Sequence, residues 1–235
     1  MPDLAEAGGA LRVAVVIPAY QAAATLGNVL AGVRAAVPDA RILVVDDGST
    51  DGTARDLSAD QVLRHAANLG KGAALRTGID RAIADGADAI VTLDADGQHS
   101  PAHIPRLIAP LAERRADLVL GARARSGPMP LPRRVTNWVS SALATRIGGV
   151  EIPDAQTGFR AFSAEVGLFN SPDQSRYDFE AAFLLQALVW PWRVVSVTVP
   201  TIYDGARSYF ETGRDTWRMA RVFWRYRGRI LNGAR

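Results

Sequence analysis

The chain has 235 residues, 27 Lys and Arg against 24 Asp and Glu, and no cysteine. With 48% hydrophobic and 22% charged residues it has enough apolar material for a sizeable core, which excludes a disordered protein. The lack of cysteine excludes disulfide frameworks, zinc–thiolate sites, iron–sulfur clusters and cysteine nucleophiles.

Strand and helix signals alternate over the first two-thirds of the chain. Short apolar runs, typical of strands buried on both faces, lie at 13–17, 42–45 and 89–93. A weak strand is predicted at 62–63 and a further strand at 117–120. Apolar residues at helical spacing predict helices at 26–37, from Thr53 to about 57, at 73–84 and at 104–111. After the proline-rich loop 127–132 come predicted helices at 135–147 and 179–189 and a strand at 194–199.

Repeated strand–helix–strand units joined by short loops predict an α/β fold with a mostly parallel central sheet flanked by helices. Such sheets bind ligands beyond the carboxyl ends of their strands. Polar clusters follow three of the predicted strands, at 18–20, 46–47 and 94–96. The functional site is therefore predicted at this edge of the sheet.

The segment 94–99, Asp-Ala-Asp-Gly-Gln-His, is the first candidate site. Asp94 and Asp96 can both turn toward one cation, and Gln98 adds a neutral oxygen. Oxygen ligands suit Mg²⁺ or Mn²⁺, which also bind phosphate oxygens. An exposed acidic turn is the alternative for a bare Asp-x-Asp, but its place after a buried strand favours metal binding.

Two further segments could contact a nucleotide. Asp46 and Asp47 follow an apolar strand, and a carboxylate there can accept hydrogen bonds from a nucleobase or ribose. The structural alternative, a turn with a helix cap, explains the residues at 48–53 but does not explain two adjacent acids. Lys71 stands between glycines before a helix and could approach a phosphate, although an ordinary helix start is an equal alternative. The three histidines lack metal-ligand spacing, and we expect them on the surface.

These segments occur in the order and spacing of family-2 inverting glycosyltransferases. The chain resembles in particular the dolichyl- and polyprenyl-phosphate mannose and glucose synthases. The resemblance rests on 16–20, 44–53, 68–73 and 93–99, and continues through 121–123, 154–160, 177–180 and 199–203. It implies the GT-A nucleotide-sugar-binding fold over about 13–210, after a flexible N-terminus at 1–12.

The resemblance also implies roles for individual residues. The substrate-binding set is Pro18, Ala19, Tyr20, Asp47, Lys71, Asp94, Ala95, Arg133 and Arg207, with Pro18, Tyr20 and Asp47 at the nucleoside. The metal ligands are Asp94, Asp96 and Gln98, and the catalytic residues are Asp96, Asp154 and Arg123. Arg123 and Arg133 resemble arginines that hold the acceptor phosphate, and Arg207 resembles a basic residue on a loop that closes over the donor.

These roles predict a metal-dependent transfer of a hexose from GDP- or UDP-hexose to a polyprenyl phosphate. A lipid phosphate is already anionic and needs no strong base. For a hydroxyl acceptor Asp154 is the candidate base, with ordering of the loop before Gly158 as an equal alternative. Ala22 and Tyr209 depart from the family pattern, which leaves open a nucleotide-sugar-binding homologue with weak or no activity.

A rival interpretation takes 94–97 as the aspartyl nucleophile motif of a phosphotransferase. That motif normally follows the first strand of its fold, whereas here it follows a later one. The glycosyltransferase interpretation is therefore preferred.

The charge of the chain is concentrated at its C-terminus. Residues 203–235 hold eight arginines and three acids, so that this stretch has a net charge of +5 and the remainder −2. Within 211–235, arginines at 214, 218, 221, 225 and 229 form one helical stripe, and apolar residues at 219, 223, 226 and 230 form another. This pattern favours a helix on an anionic membrane surface over packing on the domain, and it is too local for a nucleic-acid-binding protein.

The first residues carry no leader-peptide pattern, and no apolar run has bilayer length. We therefore expect a cytoplasmic protein, peripheral on the inner face of the cell membrane.

Overall fold

The computed structural model describes residues 11–55, 57–123, 131–169 and 178–200, together with Arg221 and Trp224. The strands in these parts are β1 (Val13–Ala19), β2 (Arg41–Asp46), β3 (Gln61–Arg64), β4 (Ala89–Thr92), β5 (Leu118–Arg123), β6 (Arg160–Ser163) and β7 (Val194–Val199). The helices are α1 (Leu26–Ala36), α2 (Lys71–Ala84), α3 (Ile104–Ala112), α4 (Leu131–Gly148), α5 (Ala164–Phe169) and α6 (Asp178–Val189), with a 3-10 turn at Pro101–His103.

The strands form one sheet in the order β3-β2-β1-β4-β6-β5-β7. β1 is parallel to both β2 and β4, β2 is parallel to β3, and β5 is parallel to β7. Only β6, within the described residues, runs antiparallel, to β4 on one side and β5 on the other. The prediction of a mostly parallel sheet flanked by helices is confirmed; β6 and α5 were not predicted.

The apolar runs of the strands are explained by cover on both faces of the sheet. Val16, Leu43 and Ile90 belong to a core shared with α2 and α6, whereas Val15 and Ile42 belong to a second core shared with α1 and α3. Alternate residues of β1, β2 and β4 therefore serve different cores, so the polar residues of these strands appear only at their ends.

The helix predicted from Thr53 is wrong. The chain there forms turns instead: the Thr53 amide donates to Asp51 Oδ1 at 2.9 Å, and Gly52 has a φ of +90°. Thr53 Oγ1 in turn accepts a 2.8 Å hydrogen bond from the Ala22 amide. Side-chain bonds to the backbone have replaced the helix and have tied the loop after β2 to the loop after β1.

The topology brings the predicted polar clusters to one edge. Strand order reverses at β1, since β2 lies on one side of it and β4 on the other. Ala19 pairs with Asp46 at the carboxyl ends of β1 and β2, and the Leu93 amide donates to Val16 O just beyond β4. Such a switch point forms a crevice beyond the strands, where ligands bind in open α/β sheets.

No helix of the described residues combines the length and the apolar character that crossing a bilayer requires. The predicted helix at 211–235 and the N-terminal tail at 1–10 lie outside the described residues, except for Arg221 and Trp224, which are both exposed.

We expect Gly78→Ala to destabilise the fold, because α2 packs directly on the sheet at this residue. A Cβ on Gly78 would lie 2.3 Å from Val16 Cγ1 and 3.1 Å from Val45 Cγ2. Overpacking of this kind costs about 1–3 kcal/mol. Urea denaturation measures the loss. Gly27→Ala in α1 is the matched control, since a Cβ there would have nothing within 4 Å, and it should cost no stability. Equal stability of the two variants would contradict the packing argument.

Candidate active site

A lysine between two carboxylates lies at the centre of the strand-end crevice. Lys71 opens α2, Asp94 follows β4, and Glu180 lies in the first turn of α6. Lys71 Nζ is 2.7 Å from Asp94 Oδ1, 2.9 Å from Asp94 Oδ2 and 2.9 Å from Glu180 Oε1. Three elements that are distant in sequence are thus joined through one ammonium group.

The charges of this cluster stabilise one another. Burial is the largest influence on Lys71 and would lower its pKa, but Asp94 and Glu180 outweigh it and the pKa of Lys71 is raised. Burial would likewise raise the pKa of Asp94, yet Lys71 holds that pKa below its usual value. All three groups are mostly shielded from solvent. The site therefore keeps Asp94 ionised and Lys71 protonated.

Gly158 provides the space for this cluster. A Cβ at this position would lie 2.5 Å from Glu180 Oε1, 2.9 Å from Asp94 Oδ2 and 3.0 Å from Lys71 Nζ. The Gly158 carbonyl also accepts a 2.8 Å hydrogen bond from Thr92 Oγ1 at the end of β4. Glycine is thus required here by the close approach of charged side chains to the backbone.

Arg123 and Asp154 form a second ion pair beside the first. Arg123 Nε lies 2.6 Å and its Nη2 3.0 Å from the two carboxylate oxygens of Asp154, and the Arg123 amide donates to Asp154 Oδ2 at 3.2 Å. Burial would raise the pKa of Asp154, but Arg123 holds that pKa below its usual value. Asp154 is therefore a carboxylate at neutral pH and a weak base.

A buried arginine shapes the segment 154–160 between these two ion pairs. Arg160 donates to the carbonyls of Thr157 at 2.8 Å, Glu180 at 2.7 Å and Ala155 at 3.2 Å. Thr157 Oγ1 donates to Gly121 O at 2.7 Å, which fixes the segment to β5. Burial lowers the pKa of Arg160, although nearby acids, Glu180 first among them, act in the opposite direction.

Asp47, assigned to the nucleoside by resemblance, has its carboxylate bound within the protein. Asp47 Oδ1 accepts from the Leu69 amide at 2.9 Å and lies 2.7 Å from His65 Nδ1, while Oδ2 accepts from the Gly70 amide at 2.8 Å. His65 Nε2 is 3.0 Å from Thr77 Oγ1. Asp47 therefore anchors the loop that leads into α2, and the nucleoside role stays a prediction.

The loop after β1 forms the other wall of the crevice. Pro18 and Ala19 are buried at the end of β1, and Tyr20 is 38% exposed. Gln21 has a φ of +51° and binds the loop after β2, with its Oε1 accepting from the amides of Thr50 at 3.0 Å and Asp51 at 3.2 Å. An exposed aromatic ring on a braced loop offers a surface for a planar base.

The turn after β4 carries the predicted metal ligands. Asp96 Oδ1 accepts from the Gln98 amide at 2.9 Å, and the Ala95 carbonyl accepts a 2.6 Å hydrogen bond from Thr25 Oγ1. No three His, Cys, Asp or Glu side chains gather into a metal-binding group in the described residues. Asp94, Asp96 and Gln98 still fit a cation bound by one or two carboxylates and completed by substrate phosphates, which is how Mg²⁺ is usually held.

His99 corrects the prediction of surface histidines, since it is only 6% exposed. Its ring lies 5.4 Å from that of Phe159, and within the described structure its Nδ1 has no hydrogen-bond partner. Burial, opposed in part by Asp94, lowers the pKa of His99 to about 4. His99 is thus a neutral ring that packs beside the carboxylates.

The structure brings four of the predicted site residues into contact, as two pairs, and adds two others. Lys71 and Asp94 contact each other, as do Arg123 and Asp154. Arg133 lies in the first turn of α4 but its side chain is outside the described part, and Arg207 lies wholly outside it. The segments that carry the resemblance include Glu180 and Arg160, but no role was predicted for either residue. A charged residue among apolar neighbours is the sequence signal that could have identified them.

The chain is similar to known proteins in both sequence and structure. The family model described as glycosyl transferase family 2 matches residues 14–167. The undecaprenyl-phosphate mannosyltransferase of Micrococcus luteus is 36% identical over 167 residues, covering 66% of this chain and 68% of that protein. The polyprenol monophosphomannose synthase of Mycolicibacterium smegmatis is 31% identical over 203 residues, covering 80% and 76%.

Among solved structures, the glucosyl-3-phosphoglycerate synthase of Mycobacterium tuberculosis in complex with Mn²⁺, UDP and phosphoglyceric acid is similar with a TM-score of 0.75. It is 24% identical, and the match covers 93% of this chain and 79% of that one. The likeness shows that the fold is the GT-A fold.

We expect Arg123→Met to destabilise the protein at neutral pH, because it leaves the Asp154 carboxylate buried without a partner. Breaking a buried pair typically costs about 3–5 kcal/mol. In the native protein the lowered pKa of Asp154 contributes stability above the unfolded pKa of about 3.9, and this is lost as the pH falls. In the variant, burial without the arginine would raise the pKa of Asp154, so the carboxyl takes up a proton as the pH falls. The deficit of the variant should be largest near pH ~7 and shrink toward pH ~4.

Urea denaturation across this pH range measures the deficit. The double variant Arg123→Met/Asp154→Asn should recover much of it at neutral pH, because the unpaired charge is gone. A deficit that does not change with pH would show that the arginine acts through packing alone.

Proposed function

Because the chain belongs to glycosyltransferase family 2, we propose that it is a metal-dependent inverting hexosyltransferase acting on a polyprenyl phosphate. The donor in this proposal is a GDP- or UDP-hexose. The observation that supports it is the arrangement of the crevice, where Asp94 contacts Lys71 and feels the charge of Arg123, and where Asp96 and Gln98 follow in the same turn.

The donor side of the crevice has the parts that a nucleotide diphosphate requires. Tyr20, on the braced loop after β1, lies at the nucleoside end in this proposal, and Asp47 shapes the neighbouring loop through the amides of Leu69 and Gly70. Lys71 is held as a cation by Asp94 and Glu180. A fixed positive charge at the start of a helix favours phosphate oxygens.

Asp94, Asp96 and Gln98 would hold the Mg²⁺ or Mn²⁺. A divalent cation there would neutralise the donor diphosphate and make it a better leaving group. The Gln98 amide orients Asp96 through a 2.9 Å hydrogen bond, and Lys71 keeps Asp94 ionised. Asp94 is thus in the charged form that binds a cation.

The ion pair between Arg123 and Asp154 favours a phosphate acceptor over a hydroxyl. A hydroxyl acceptor needs a base to remove its proton, and the one carboxylate predicted for that role has a lowered pKa and is bound by Arg123 through two nitrogens. A phosphate monoester is already anionic and needs cations instead. Arg123, oriented by Asp154, supplies one at the acceptor end, and the two relatives named above act on polyprenyl phosphates by their names.

A lipid acceptor places the enzyme at a membrane. In this proposal the protein is peripheral on the inner face of the cell membrane, and the basic segment 211–235 contributes to the contact. Arg207 would close over the donor, and Arg133 at the start of α4 would assist Arg123 with the acceptor phosphate.

One observation keeps a second function in view. Ala22, which stands where the family has an acid, makes hydrogen bonds through its backbone alone: its amide donates to Thr53 Oγ1 and its carbonyl accepts from the Leu26 amide. A chain that lacks one donor contact is consistent with a nucleotide-sugar-binding homologue of weak or no activity. Turnover, measured beside nucleotide binding, separates the two.

A direct acceptor comparison tests the proposed function. Purified full-length protein is incubated with GDP-mannose, UDP-glucose or UDP-N-acetylglucosamine, Mn²⁺, and either a polyprenyl phosphate or the corresponding polyprenol. We expect a sugar-phosphate-lipid product from the phosphate and none from the alcohol. Transfer to the alcohol alone would mean a hydroxyl acceptor, and donor binding without any transfer would mean a binding protein.

We expect Asp96→Asn to abolish Mn²⁺-dependent nucleotide binding while leaving the fold intact. The asparagine oxygen can still accept from the Gln98 amide, so the turn after β4 is kept, but the negative charge is lost. A thermal-shift assay measures this: a nucleotide at about a hundredfold excess over Kd stabilises the folded state by about 2.7 kcal/mol.

Asp39→Asn is the matched control, because Asp39 is exposed on the loop between α1 and β2, at the opposite end of the strands. It should keep the full metal-dependent shift. An unchanged shift in Asp96→Asn would remove Asp96 from the metal site.

A further inference from the structure

Helix α4 has an apolar stripe that faces solvent. Val135 is 59% exposed, Trp138 68% and Val139 42%. Spacings of three and four residues from Val135 place all three on one side of the helix. Single exposed apolar residues are common, but a tryptophan flanked by two valines on one helix face forms a continuous patch.

The same side of α4 is basic. Arg134 and Arg146 are exposed; helical spacing places Arg134 beside Trp138 and Arg146 in line with the stripe, about two turns further along the helix. The eighteen residues of α4 include no acid. An apolar stripe that contains a tryptophan, with one arginine at its side and another beyond its end, is the composition of a helix that lies in the headgroup region of an anionic bilayer.

The other side of α4 is fixed to the wall of the candidate active site. The Ala155 amide donates to Ser141 Oγ at 3.0 Å, and Gln156 Nε2 donates to Ser140 Oγ at 3.2 Å. Both bonds reach the segment that begins with Asp154, the partner of Arg123. One helix therefore separates the apolar stripe from the proposed acceptor end of the crevice.

We propose that the stripe formed by Val135, Trp138 and Val139 inserts into the interface of an anionic lipid bilayer. This inference rests on the proposed function, because a bilayer is where a polyprenyl phosphate is found. A helix with its side chains is about 10–12 Å across, so the crevice lies about one helix diameter from the surface. An acceptor phosphate at the headgroup level reaches Arg123 around α4 while its chain stays in the bilayer.

The charge of α4 selects a bilayer over a second copy of the chain. A symmetric contact through this face would bring the Arg134 side chains of both copies into one interface, to which the helix contributes no acid. Anionic headgroups would compensate this positive charge.

A second exposed aromatic patch offers a matched control. Phe169 stacks on Trp190 with ring centroids 5.9 Å apart, and Trp190 is 51% exposed. Trp190 follows the last residue of α6, whose first turn holds Glu180 in the crevice. The twelve residues of α6 span about 18 Å, so this patch lies far from the acceptor end.

Co-sedimentation with vesicles tests the proposal without donor or acceptor. Full-length protein, Trp138→Gln and Trp190→Gln are each mixed with phosphatidylcholine vesicles and with vesicles that also contain phosphatidylglycerol. Because the variant loses a large apolar side chain that would be buried in the bilayer, Trp138→Gln should bind the anionic vesicles about tenfold more weakly. Trp190→Gln should bind as the native protein does. The double variant Val135→Gln/Val139→Gln should repeat the loss.

Two results would overturn the proposal. One is equal vesicle binding by Trp138→Gln and the native protein. The other is a native dimer in sedimentation velocity that Trp138→Gln converts to monomer with no change in vesicle binding, which would make the stripe a contact between copies.

A turnover assay separates this proposal from the proposed function. Trp138→Gln should lose activity on a long-chain polyprenyl phosphate in vesicles and retain it on water-soluble citronellyl phosphate. Loss on both acceptors would mean that Trp138 supports the site itself and would overturn the membrane role. If the native protein uses neither acceptor, the proposed function fails, while the vesicle result still decides whether α4 binds lipid.

Discussion

The ammonium group of Lys71 is the contact on which the crevice depends. It joins α2, the end of β4 and the start of α6 through Asp94 and Glu180, and it does so in a space that Gly158 leaves open. Two carboxylates this close to each other would repel without the intervening cation. Burying charges is costly, so such an arrangement is better explained by what the charges do than by stability.

A second set of buried charges surrounds the first. Arg160 holds the backbone of the segment 154–160 by its carbonyls, and that segment carries both Gly158 and Asp154. The conformation of this short segment therefore sets the space around Lys71 and the orientation of Arg123 at once. The Lys71 and Arg123 ends of the crevice are joined by one short segment of the chain, so a change at one end is expected to affect the other.

The positions of Asp94 and Asp96 could be predicted because they follow an apolar strand, whereas Arg123 was predicted from the family resemblance alone. The parallel order of β1, β2 and β4 follows from the strand–helix alternation. The antiparallel strand β6 could not, since it has four residues and begins with the charged Arg160. Nor could the partners of Asp47 or the burial of His99, because these depend on which loops meet in space. The sequence pattern thus locates the functional edge of the sheet, whereas tertiary contacts determine which side chains there are engaged in structural hydrogen bonds.

The place of β6 in the sheet has a consequence for how the chain folds during synthesis. β4 pairs with β1 as soon as both exist, but its other edge is filled by β6, about seventy residues later. Until the ribosome has released residues 160–163, β4 is an open edge strand of apolar residues, a template for pairing with other chains. The charged crevice also waits for this step, since Gly158 and Glu180 flank β6 in sequence. Nascent chains are thus expected to be most prone to aggregation after β4 has been synthesised and before β6 can pair with it, when the charged crevice has not yet formed.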